Sequence, residues 1–368
     1  MKKIGMTCLT GILLLSFSTE SFARQWSLND CIRYALENNI QLKKAKLKEY
    51  SALEDVKQSQ AALLPSLNFS TSQNVSYNPW PEKGRATVAD GYVQSSADKV
   101  YYNGSYSLIG NWTVWNGNKN TNTLKLNKLA TEQAKLDSAV TANSVLEQIA
   151  QLYVQILYSN EAISVSQESL KTSQTNEERG KTMVNVGKMS KADLAQLTAQ
   201  RAQDEYNIVE AESNLKNYKR QLKQILQIAD NEEFDVTIPS TTDQMALKSV
   251  PDMNDVYLAS LEQRPEIKNA KLGIESSDLS IKIAKAGKLP SISMNAGLST
   301  STTSMSKSGW DNQIKNNFTL GGGVTISIPL FDNRQTKTAV NKAMIQKQDY
   351  LLDLQDKQTT LYSTVENY

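Results

Sequence analysis

Two residue types that often carry catalysis or bind metals, histidine and cysteine, are absent or rare in this sequence. It contains no histidine and two cysteines, Cys8 and Cys31. The absence of histidine excludes a Ser-His-Asp triad, a Cys-His pair and a histidine-containing zinc site. The run Gly321-Gly322-Gly323 lies within an alternating, strand-like segment, where glycine relieves packing more often than it binds phosphate. We therefore expect no catalytic residue, no metal site and no cofactor.

The first 23 residues are typical of a secretory signal peptide. Two lysines precede an apolar run, Ile4–Phe17, and Ser21-Phe22-Ala23 fits the small-x-small pattern of signal peptidase. A transmembrane anchor is the weaker alternative, because the run is shorter than the roughly 20 apolar residues that span a bilayer. Cleavage would remove Cys8 and exclude a disulfide within the chain. We expect Cys31 to be a small buried hydrophobic residue.

The charges are balanced and well mixed. The chain has 40 Lys and Arg against 38 Asp and Glu, a net charge of +2, which excludes the concentrated basic surface that nucleic acid requires. Hydrophobic residues make up 39% of the sequence, and no segment after residue 23 has the pattern of a spanning helix. Transmembrane strands remain compatible with this composition because they alternate in polarity.

The secondary-structure elements predicted from this sequence are duplicated. Pro65 and Pro290 lie 225 positions apart, each within a Leu-Pro-Ser motif at a helix-to-strand junction. The same offset aligns Asn29-Asp30 with Asn254-Asp255, Leu36-Glu37 with Leu261-Glu262, and Ala45-Lys46-Leu47 with Ala270-Lys271-Leu272. Repeats that cannot bury their own apolar face stack on copies of themselves. We predict a first repeat at residues 24–250 and a second, incomplete repeat at 251–368, and we expect the chain to be truncated at its C-terminal end.

Each repeat is predicted to begin with a helix, at 29–64 and 254–289. The first has neither proline nor glycine and is expected to be uninterrupted, whereas Pro265 and Gly273 are expected to kink or weaken the second. A helical hairpin is predicted at 118–228, followed by a linker at 229–250, and a truncated helix at 336–368. On the first hairpin helix a coiled-coil seam is expected at Leu146, Ile149, Tyr153, Ile156, Asn160, Ile163, Gln167 and Leu170.

After each Leu-Pro-Ser motif the sequence changes to strict alternation, which predicts strands with one apolar face. We place them at 66–77 and 102–115, and at 291–299 and 318–330. The residues expected to face a membrane are Leu67, Phe69, Val75, Tyr106, Leu108, Trp112, Val114, Ile292, Met294, Leu298, Leu320, Val324, Ile326 and Ile328. Aromatic residues at the strand ends are suited to membrane interfaces: Tyr77, Trp80, Tyr101 and Tyr102 at one end, Trp112 and Trp115 at the other.

Four such strands cannot close a barrel, since the smallest closed barrels have about eight. Open strand edges are not tolerated in lipid, so several chains must contribute: two would give eight strands and three would give twelve. The alternative is a soluble β-sandwich. It is less favoured because soluble strands rarely alternate so regularly four times over.

Several motifs carry a family resemblance. Two segments of the sequence resemble outer-membrane efflux proteins of the TolC family. They are the opening segment Trp26-Ser27-Leu28-Asn29-Asp30-Cys31-Ile32-Arg33-Tyr34-Ala35-Leu36-Glu37-Asn38-Asn39 and the segment Leu63-Leu64-Pro65-Ser66-Leu67. The resemblance is strengthened by two segments of the second repeat, Lys288-Leu289-Pro290-Ser291-Ile292 and Ile326-Ser327-Ile328-Pro329-Leu330-Phe331-Asp332. It covers essentially the whole chain after the signal peptide.

The resemblance implies a mainly α-helical protein with transmembrane β-structure. Long coiled-coil hairpins and four strands would contribute to a trimeric, twelve-stranded β-barrel in the outer membrane, continuous with a periplasmic α-helical barrel. The implied function is passive export, as the outer-membrane channel of a tripartite efflux or type I secretion system. The implied partners are two further copies of the chain, outer-membrane lipid, a periplasmic adaptor protein and, through it, an inner-membrane pump.

The family docks on its adaptor through helical-hairpin tips, and the matching tip residues here are Val186, Gly187, Lys188, Ser190, Asp193 and Leu194. Lys188 departs from the hydrophobic residue that often follows the tip glycine, and Gly187 is equally suited simply to end a helix. A periplasmic coiled-coil adaptor or structural protein is the alternative function. It is less favoured because adaptors lack duplicated strand pairs.

Overall fold

The computed structural model describes residues 24–80, 85–89, 92–96, 99–229, 234–238 and 251–367, with the backbone alone at 24, 85–89 and 92–96. The predicted signal peptide and most of the predicted linker lie outside the described residues. The chain divides into two compact units: Met1–Lys43 with Thr141–Lys248, and Lys44–Val140 with Ser249–Tyr368. Each is described by itself.

Eight helices and eight strands make up the described parts of the chain. The helices are α1 (Leu28–Asn38), α2 (Ile40–Ala61), α3 (Lys119–Asn185), α4 (Lys191–Leu226), α5 (Met253–Gln263), α6 (Pro265–Ala286), α7 (Trp310–Asn316) and α8 (Gln335–Asn367). The strands are β1 (Arg24–Trp26), β2 (Ser66–Tyr77), β3 (Arg85–Ala89), β4 (Tyr92–Ser96), β5 (Val100–Trp115), β6 (Phe234–Val236), β7 (Ser291–Thr303) and β8 (Thr319–Ser327).

The first unit has an apolar core between α1, α3 and α4, covered by the short parallel pair β1 and β6. Cys31, Ile149 and Leu222 are fully buried there. The Trp26 ring packs edge-on against Tyr34, with 5.1 Å between ring centroids. The Tyr153 hydroxyl donates to the carbonyl of Thr237 at 2.5 Å, which ties α3 to the residue after β6. The predicted seam is thus buried at Ile149, Tyr153 and Ile156, although Gln167 further along α3 is exposed.

The second unit joins most of α2, the start of α3, and helices α5, α6, α7 and α8 to the main sheet. Asn120 at the start of α3 donates to the carbonyl of Ala62 at 3.2 Å, beside the C-terminus of α2. Helices α6 and α8 are linked by an ion pair of 2.7 Å between Asp278 and Lys347. Helices α5 and α8 meet through the edge-to-face rings of Tyr257 and Tyr362, whose centroids lie 5.3 Å apart.

The main sheet is antiparallel throughout, in the order β2-β5-β7-β8. Both predicted strand pairs therefore belong to one sheet, with the two repeats joined where β5 pairs with β7. Strands β3 and β4 form a separate two-stranded hairpin between β2 and β5. Helix α7 lies between β7 and β8, where no helix was predicted.

The prediction of an uninterrupted helix at 29–64 is wrong, because the chain breaks at Asn39. This residue is extended, with φ −60° and ψ 128°. Its side-chain oxygen accepts hydrogen bonds from the N–H groups of Gln41 and Leu42 at 2.8 and 3.3 Å and so caps α2. Its amide nitrogen donates to the carbonyl of Ile225 on α4 at 2.9 Å. A tertiary contact therefore stabilises a break that local sequence does not reveal.

The second repeat breaks at the equivalent position. Arg264, 225 positions after Asn39, has φ −62° and ψ 128°, and Pro265 begins the next helix. The predicted helix 254–289 is thus two helices, divided where proline removes a backbone donor. The strand-to-helix junctions also match: Gly117 and Asn118 have positive φ, as do Asn333 and Arg334, 216 positions later.

Two predicted strand ends also need correction. Strand β7 extends to Thr303 because its last residues continue to pair with β5, where Thr303 faces Asn103. Strand β8 ends at Ser327, before Pro329, which has no N–H for a further ladder bond. Ile328, predicted to face the membrane from a strand, therefore lies just outside β8.

Candidate functional site

One face of the main sheet is apolar over four successive sets of register partners, which we call the apolar rows. In order along the sheet they are Trp115, Ile292 and Ile326; Trp112, Met294 and Val324; Leu67, Gly110, Ala296 and Gly322; and Phe69, Leu108, Leu298 and Leu320. The register brings together most of the residues selected from the sequence. Phe69 is 68% exposed and Leu320 is 74% exposed, so the described part of the chain leaves these large apolar side chains largely uncovered.

The next two sets of partners on the same face are polar, and we call them the polar rows. They consist of Thr71, Tyr106 and Thr300, followed by Gln73, Gly104 and Thr302. Val75 pairs with Tyr102 beyond the polar rows. Two of the predicted membrane-facing residues, Tyr106 and Val75, therefore lie apart from the apolar rows.

A β-bulge changes the position of a further predicted residue. Trp112 pairs with Met294, but Trp115 rather than Val114 pairs with Ile292. Val114 is therefore the extra residue of the bulge, since two residues of β5 oppose one of β7. The interface residue Trp112 also donates its indole N–H to the carbonyl of Leu63 at 2.9 Å.

The opposite face of the sheet carries small hydroxyl and amide side chains. Ser70 and Ser107 lie 2.7 Å apart, as do Ser72 and Ser105. Further polar members of this face are Ser66, Asn68, Asn74, Ser76, Asn103, Asn111, Thr113, Ser291, Ser293, Asn295, Ser299, Ser301, Thr303, Thr319, Thr325 and Ser327. The apolar Ile109 also lies on this face, where it pairs with Asn68 and Gly297. None of these residues is charged, so this face is suited to contact water without attracting one sign of charge.

The outer strands of the sheet are β2 and β8, and within the described part of the chain neither has a partner on its outer side. Because every pairing is antiparallel, β2 and β8 run in opposite directions. An unpaired edge presents free backbone N–H and C=O groups. The two edges are therefore complementary to one another on successive copies.

The predicted docking tip is a well-defined turn between α3 and α4. Gly187 has φ +73°, a conformation that glycine adopts without strain. The Lys188 N–H donates to the carbonyl of Met183 at 2.8 Å, which closes the end of α3. Ser190 and Asp193 form a capping interaction at the start of α4, with the Asp193 N–H donating to Ser190 Oγ at 3.1 Å.

Two other tip residues differ in exposure. Val186 is 63% exposed, although it is a large apolar residue. Leu194 instead points back into the hairpin, where its Cδ1 would lie 3.4 Å from a Cβ placed on Gly180. Of the predicted tip residues, Val186, Gly187, Lys188, Ser190 and Asp193 are exposed, and Leu194 is half-buried. Whether an adaptor binds there remains a prediction.

Sequence reasoning missed a polar cluster inside the hairpin, next to this tip. Glu177 on α3 is buried, and its carboxylate lies 2.9 Å from Arg201 Nε and 3.1 Å from Lys181 Nζ. The Thr198 hydroxyl also donates to it at 2.9 Å. Hydrogen bonds from Lys181 and Thr198 lower the pKa of Glu177, so the carboxylate stays charged. Glu177 and Arg201 are 24 positions apart on different helices, so their pairing becomes evident only when α3 and α4 are brought together.

Within the described ranges, neither a metal site nor a spanning helix is found. No group of three or more Cys, Asp or Glu residues is placed to hold a metal ion. Similarly, none of the helices described here combines the length and the apolar character needed to cross a bilayer.

The fold is that of outer-membrane channels. The chain resembles the solved structure of CusC, studied for transmembrane channel formation, with a TM-score of 0.74 and 19% identity, over 91% of this chain and 73% of that one. It resembles the outer-membrane channel CmeC of Campylobacter jejuni with a TM-score of 0.71 and 20% identity, over 98% of this chain and 76% of that one.

A family model described as outer membrane efflux protein matches residues 31–226 and 256–368, and the chain belongs to this family. Among its relatives is Toxin and drug export protein A of Aggregatibacter actinomycetemcomitans, 24% identical over 325 residues. That match covers 88% of this chain, and the chain spans 65% of that relative's length. The family and the fold class predicted from the sequence are thus confirmed.

Proposed function

We propose that the chain is the outer-membrane channel of an export system and conducts substrates passively. The observation that supports this most directly is the single sheet with apolar rows on one face, uncharged polar residues on the other, and two unpaired edges. In lipid, such a sheet is stable only if its edges are closed. Closure would place the apolar rows against lipid and the hydroxyl and amide side chains around a water-filled lumen.

Further copies of the same chain supply the missing strands in this proposal. Strands β2 and β8 run in opposite directions, so β8 of one copy can pair antiparallel with β2 of the next and continue the alternation. Three copies give about twelve strands, which leaves a lumen wider than the side-chain-filled interior of an eight-stranded barrel. A homotrimer in the outer membrane, with its helices in the periplasm, accords with the family.

The uncharged lumen face bears on the substrate class. A row of serine, threonine and asparagine side chains hydrates solutes without selecting the sign of their charge. We propose that the barrel itself is a weak filter and that specificity resides in the pump. Export of drugs or polypeptides is consistent with the name of the A. actinomycetemcomitans relative. No catalytic step is involved, and no cofactor is needed.

The partners in this proposal are a periplasmic adaptor protein and, through it, an inner-membrane pump. We assign the adaptor contact to the hairpin tip, whose exposed residues are Val186, Gly187, Lys188, Ser190 and Asp193. Ser190 and Asp193 also cap α4, and Leu194 packs within the hairpin. Val186 supplies apolar area, and Gly187 allows close approach of another backbone because nothing lies within 4 Å of its Cβ position. The family assignment favours this channel role over that of a periplasmic adaptor.

Disulfide crosslinking between β2 and β8 tests the assembly. A cysteine at Ser70 would be combined in turn with a cysteine at Gly321, Gly323 or Thr325, all on the polar face of the sheet. In membranes, at least one combination should give a ladder that ends at a covalent trimer, whereas each single variant should give none. A ladder that ends at a dimer, or oxidation that leaves only monomers in every combination, would contradict the proposal.

The docking assignment needs a separate test. A photo-crosslinking amino acid at Lys188 should capture a periplasmic protein with a coiled-coil hairpin, and V186E should reduce drug resistance without changing the β2–β8 crosslinks. The matched control is the same amino acid at Glu212, an exposed position on α4 away from the tip. Equal capture at both positions would show that the tip is not the specific site of adaptor binding.

A further inference from the structure

Helix α7 folds against one face of the main sheet instead of extending away from it. The Thr300 hydroxyl on β7 donates to the carbonyl of Ile314 at 2.8 Å. The Trp310 indole N–H lies 3.4 Å from the Tyr106 hydroxyl on β5, and the two rings are perpendicular with centroids 6.2 Å apart. The helix is therefore fixed to two adjacent strands.

Gln313 holds the helix in this position from its buried side. Its side-chain oxygen accepts from the Thr303 N–H at 2.7 Å, and its side-chain nitrogen donates to the carbonyl of Ser308 at 2.8 Å. Gln313 is 5% exposed, although it lies in a short helix at the end of the sheet. A buried amide with both ends bonded to backbone fixes the path of the chain.

The register shows which face α7 covers. Tyr106 and Thr300 are partners in the first polar row, which directly follows the apolar row of Leu108 and Leu298. Successive side chains of a strand point to opposite faces, so Tyr106 and Thr300 share the face of Leu108 and Leu298. Helix α7 therefore lies on the apolar side of the sheet, at the level where its apolar rows give way to polar ones.

We propose that α7 is a membrane-interface anchor and that Trp310 inserts into the phosphate-bearing headgroup layer around the barrel. The inference rests on the proposed function, because it requires the apolar rows to face lipid. Trp310 is 60% exposed even though its ring packs on Tyr106. Tryptophan favours this layer because its apolar ring and polar N–H suit a boundary between hydrocarbon and water.

The charged side chains near α7 support lipid headgroups as the groups that surround Trp310. Lys307, three residues before α7, and Lys315, in the last turn of α7, are both exposed, so their ammonium groups can meet lipid phosphates. Asp311 is also exposed in the first turn of the helix and offsets one of these charges. The apolar rows that would contact the hydrocarbon layer begin close to α7. The row of Leu108 lies two residues, or about 7 Å, along β5 from Tyr106.

Depth-dependent fluorescence quenching tests the anchor. The full chain would be reconstituted in vesicles of phosphatidylcholine and phosphatidylglycerol that carry a nitroxide either on the headgroup or at the middle of the acyl chain. The emission of Trp310 is obtained as the difference between the wild-type chain and W310F. We expect the headgroup label to quench this emission at least about twofold more than the acyl-chain label. A matched reporter, F69W in the W310F background, lies in an apolar row and should show the reverse preference.

The two reporters test the headgroup position of Trp310 and the lipid exposure of the sheet separately. Acyl-chain quenching of F69W with no quenching of Trp310 by either label would overturn the anchor and leave the channel intact. Stronger quenching of Trp310 by the acyl-chain label would also overturn its headgroup position. If neither reporter is quenched, the sheet does not face lipid and the proposed function itself fails. Phenylalanine at position 310 keeps an aromatic ring against Tyr106, so W310F is expected to fold.

Discussion

The carboxylate of Glu177 lies 2.9 Å from Nε of Arg201, inside the hairpin that carries the exposed tip. The Glu177 side chain is 9% exposed and that of Arg201 is 27% exposed. Lys181 on α3 also pairs with Glu177, and Glu205 on α4 also pairs with Arg201, whereas the contact between Glu177 and Arg201 links the two helices. The pair therefore joins α3 to α4 close to the surface that we assign to docking.

We expect E177Q to loosen the tip without unfolding the chain. Glutamine keeps the volume and can still accept from Thr198, but it loses the attraction to Arg201. Backbone amides between residues 177 and 198 should exchange hydrogen on the order of three- to tenfold faster. The matched control is E178Q, since Glu178 is the exposed neighbour. Equal effects of the two variants would show that the buried pair does not hold the tip.

The same carboxylate predicts a dependence of tip stability on pH. Hydrogen bonds from Lys181 and Thr198 lower the pKa of Glu177 in the folded chain. In the unfolded chain the group titrates near its ordinary value of about 4.3. Its contribution is thus fully present above that value and is lost as pH falls through the lower folded-state pKa. Exchange protection of the tip amides should fall in this acid range for the wild-type chain and change less for E177Q.

Burial should make Cys31 unreactive in the folded chain. Removal from water, with the nearby Asp30 carboxylate, raises the pKa of this thiol to about 12. Only the thiolate reacts readily, so maleimide at neutral pH should not label Cys31 in the folded chain but should label it in denaturant. The K188C variant, which places a thiol at the exposed tip, provides a reactive control. Labelling of native Cys31 as fast as the thiol introduced by K188C would contradict its position in the core.

Substitution of Asn39 should destabilise the first unit through two separate hydrogen-bonding roles. N39A removes the cap of α2 and the bond to the Ile225 carbonyl, and should cost about 1–2 kcal/mol. N39S keeps a capping oxygen and loses only the amide donor, so its effect should be smaller. R264A is the control at the equivalent break, because Arg264 makes no side-chain capping bond. Chemical denaturation would measure all three, and an effect of R264A as large as that of N39A would contradict the capping role.

The strands were predictable because their pattern depends on residues two positions apart. Once one face is apolar, alternation fixes which residues share it, and Phe69, Leu108, Leu298 and Leu320 indeed form one row. The bulge at Val114 was not predictable, because a change of register depends on the partner strand. The same alternation could not distinguish Val75 from the apolar rows, since the polar rows become evident only when neighbouring strands are aligned.

The helical breaks and the hairpin cluster depend on contacts that are distant in sequence. Asn39 is an ordinary residue in a helical pattern, and its bond to Ile225 spans 186 positions. Glu177 reads as an exposed charge until α4 brings Arg201 beside it. Helix α7 was missed because a polar segment rich in serine and asparagine predicts a loop, whereas its position depends on Tyr106 and Thr300 of the sheet.

Two opposing effects at Gly273 decide whether the substitution G273A stabilises or destabilises the chain. Glycine in a helix interior is usually about 1 kcal/mol less favourable than alanine, so G273A would ordinarily stabilise α6. Here a Cβ would lie 3.0 Å from Cδ1 and 3.2 Å from Cε1 of Tyr350 on α8. The crowded ring should reverse the sign, with a net destabilisation of about 1–2 kcal/mol in chemical denaturation.

Removing the ring should restore the usual helix preference. In a Y350A background, G273A should be neutral or stabilising, and the double-mutant cycle should show a coupling free energy of at least about 1 kcal/mol. Lys48 is the equivalent residue of the first repeat and is exposed, so K48A should change stability by less than about 0.5 kcal/mol. If G273A stabilises the wild-type chain, the contact with Tyr350 does not explain why the second repeat has glycine at this position.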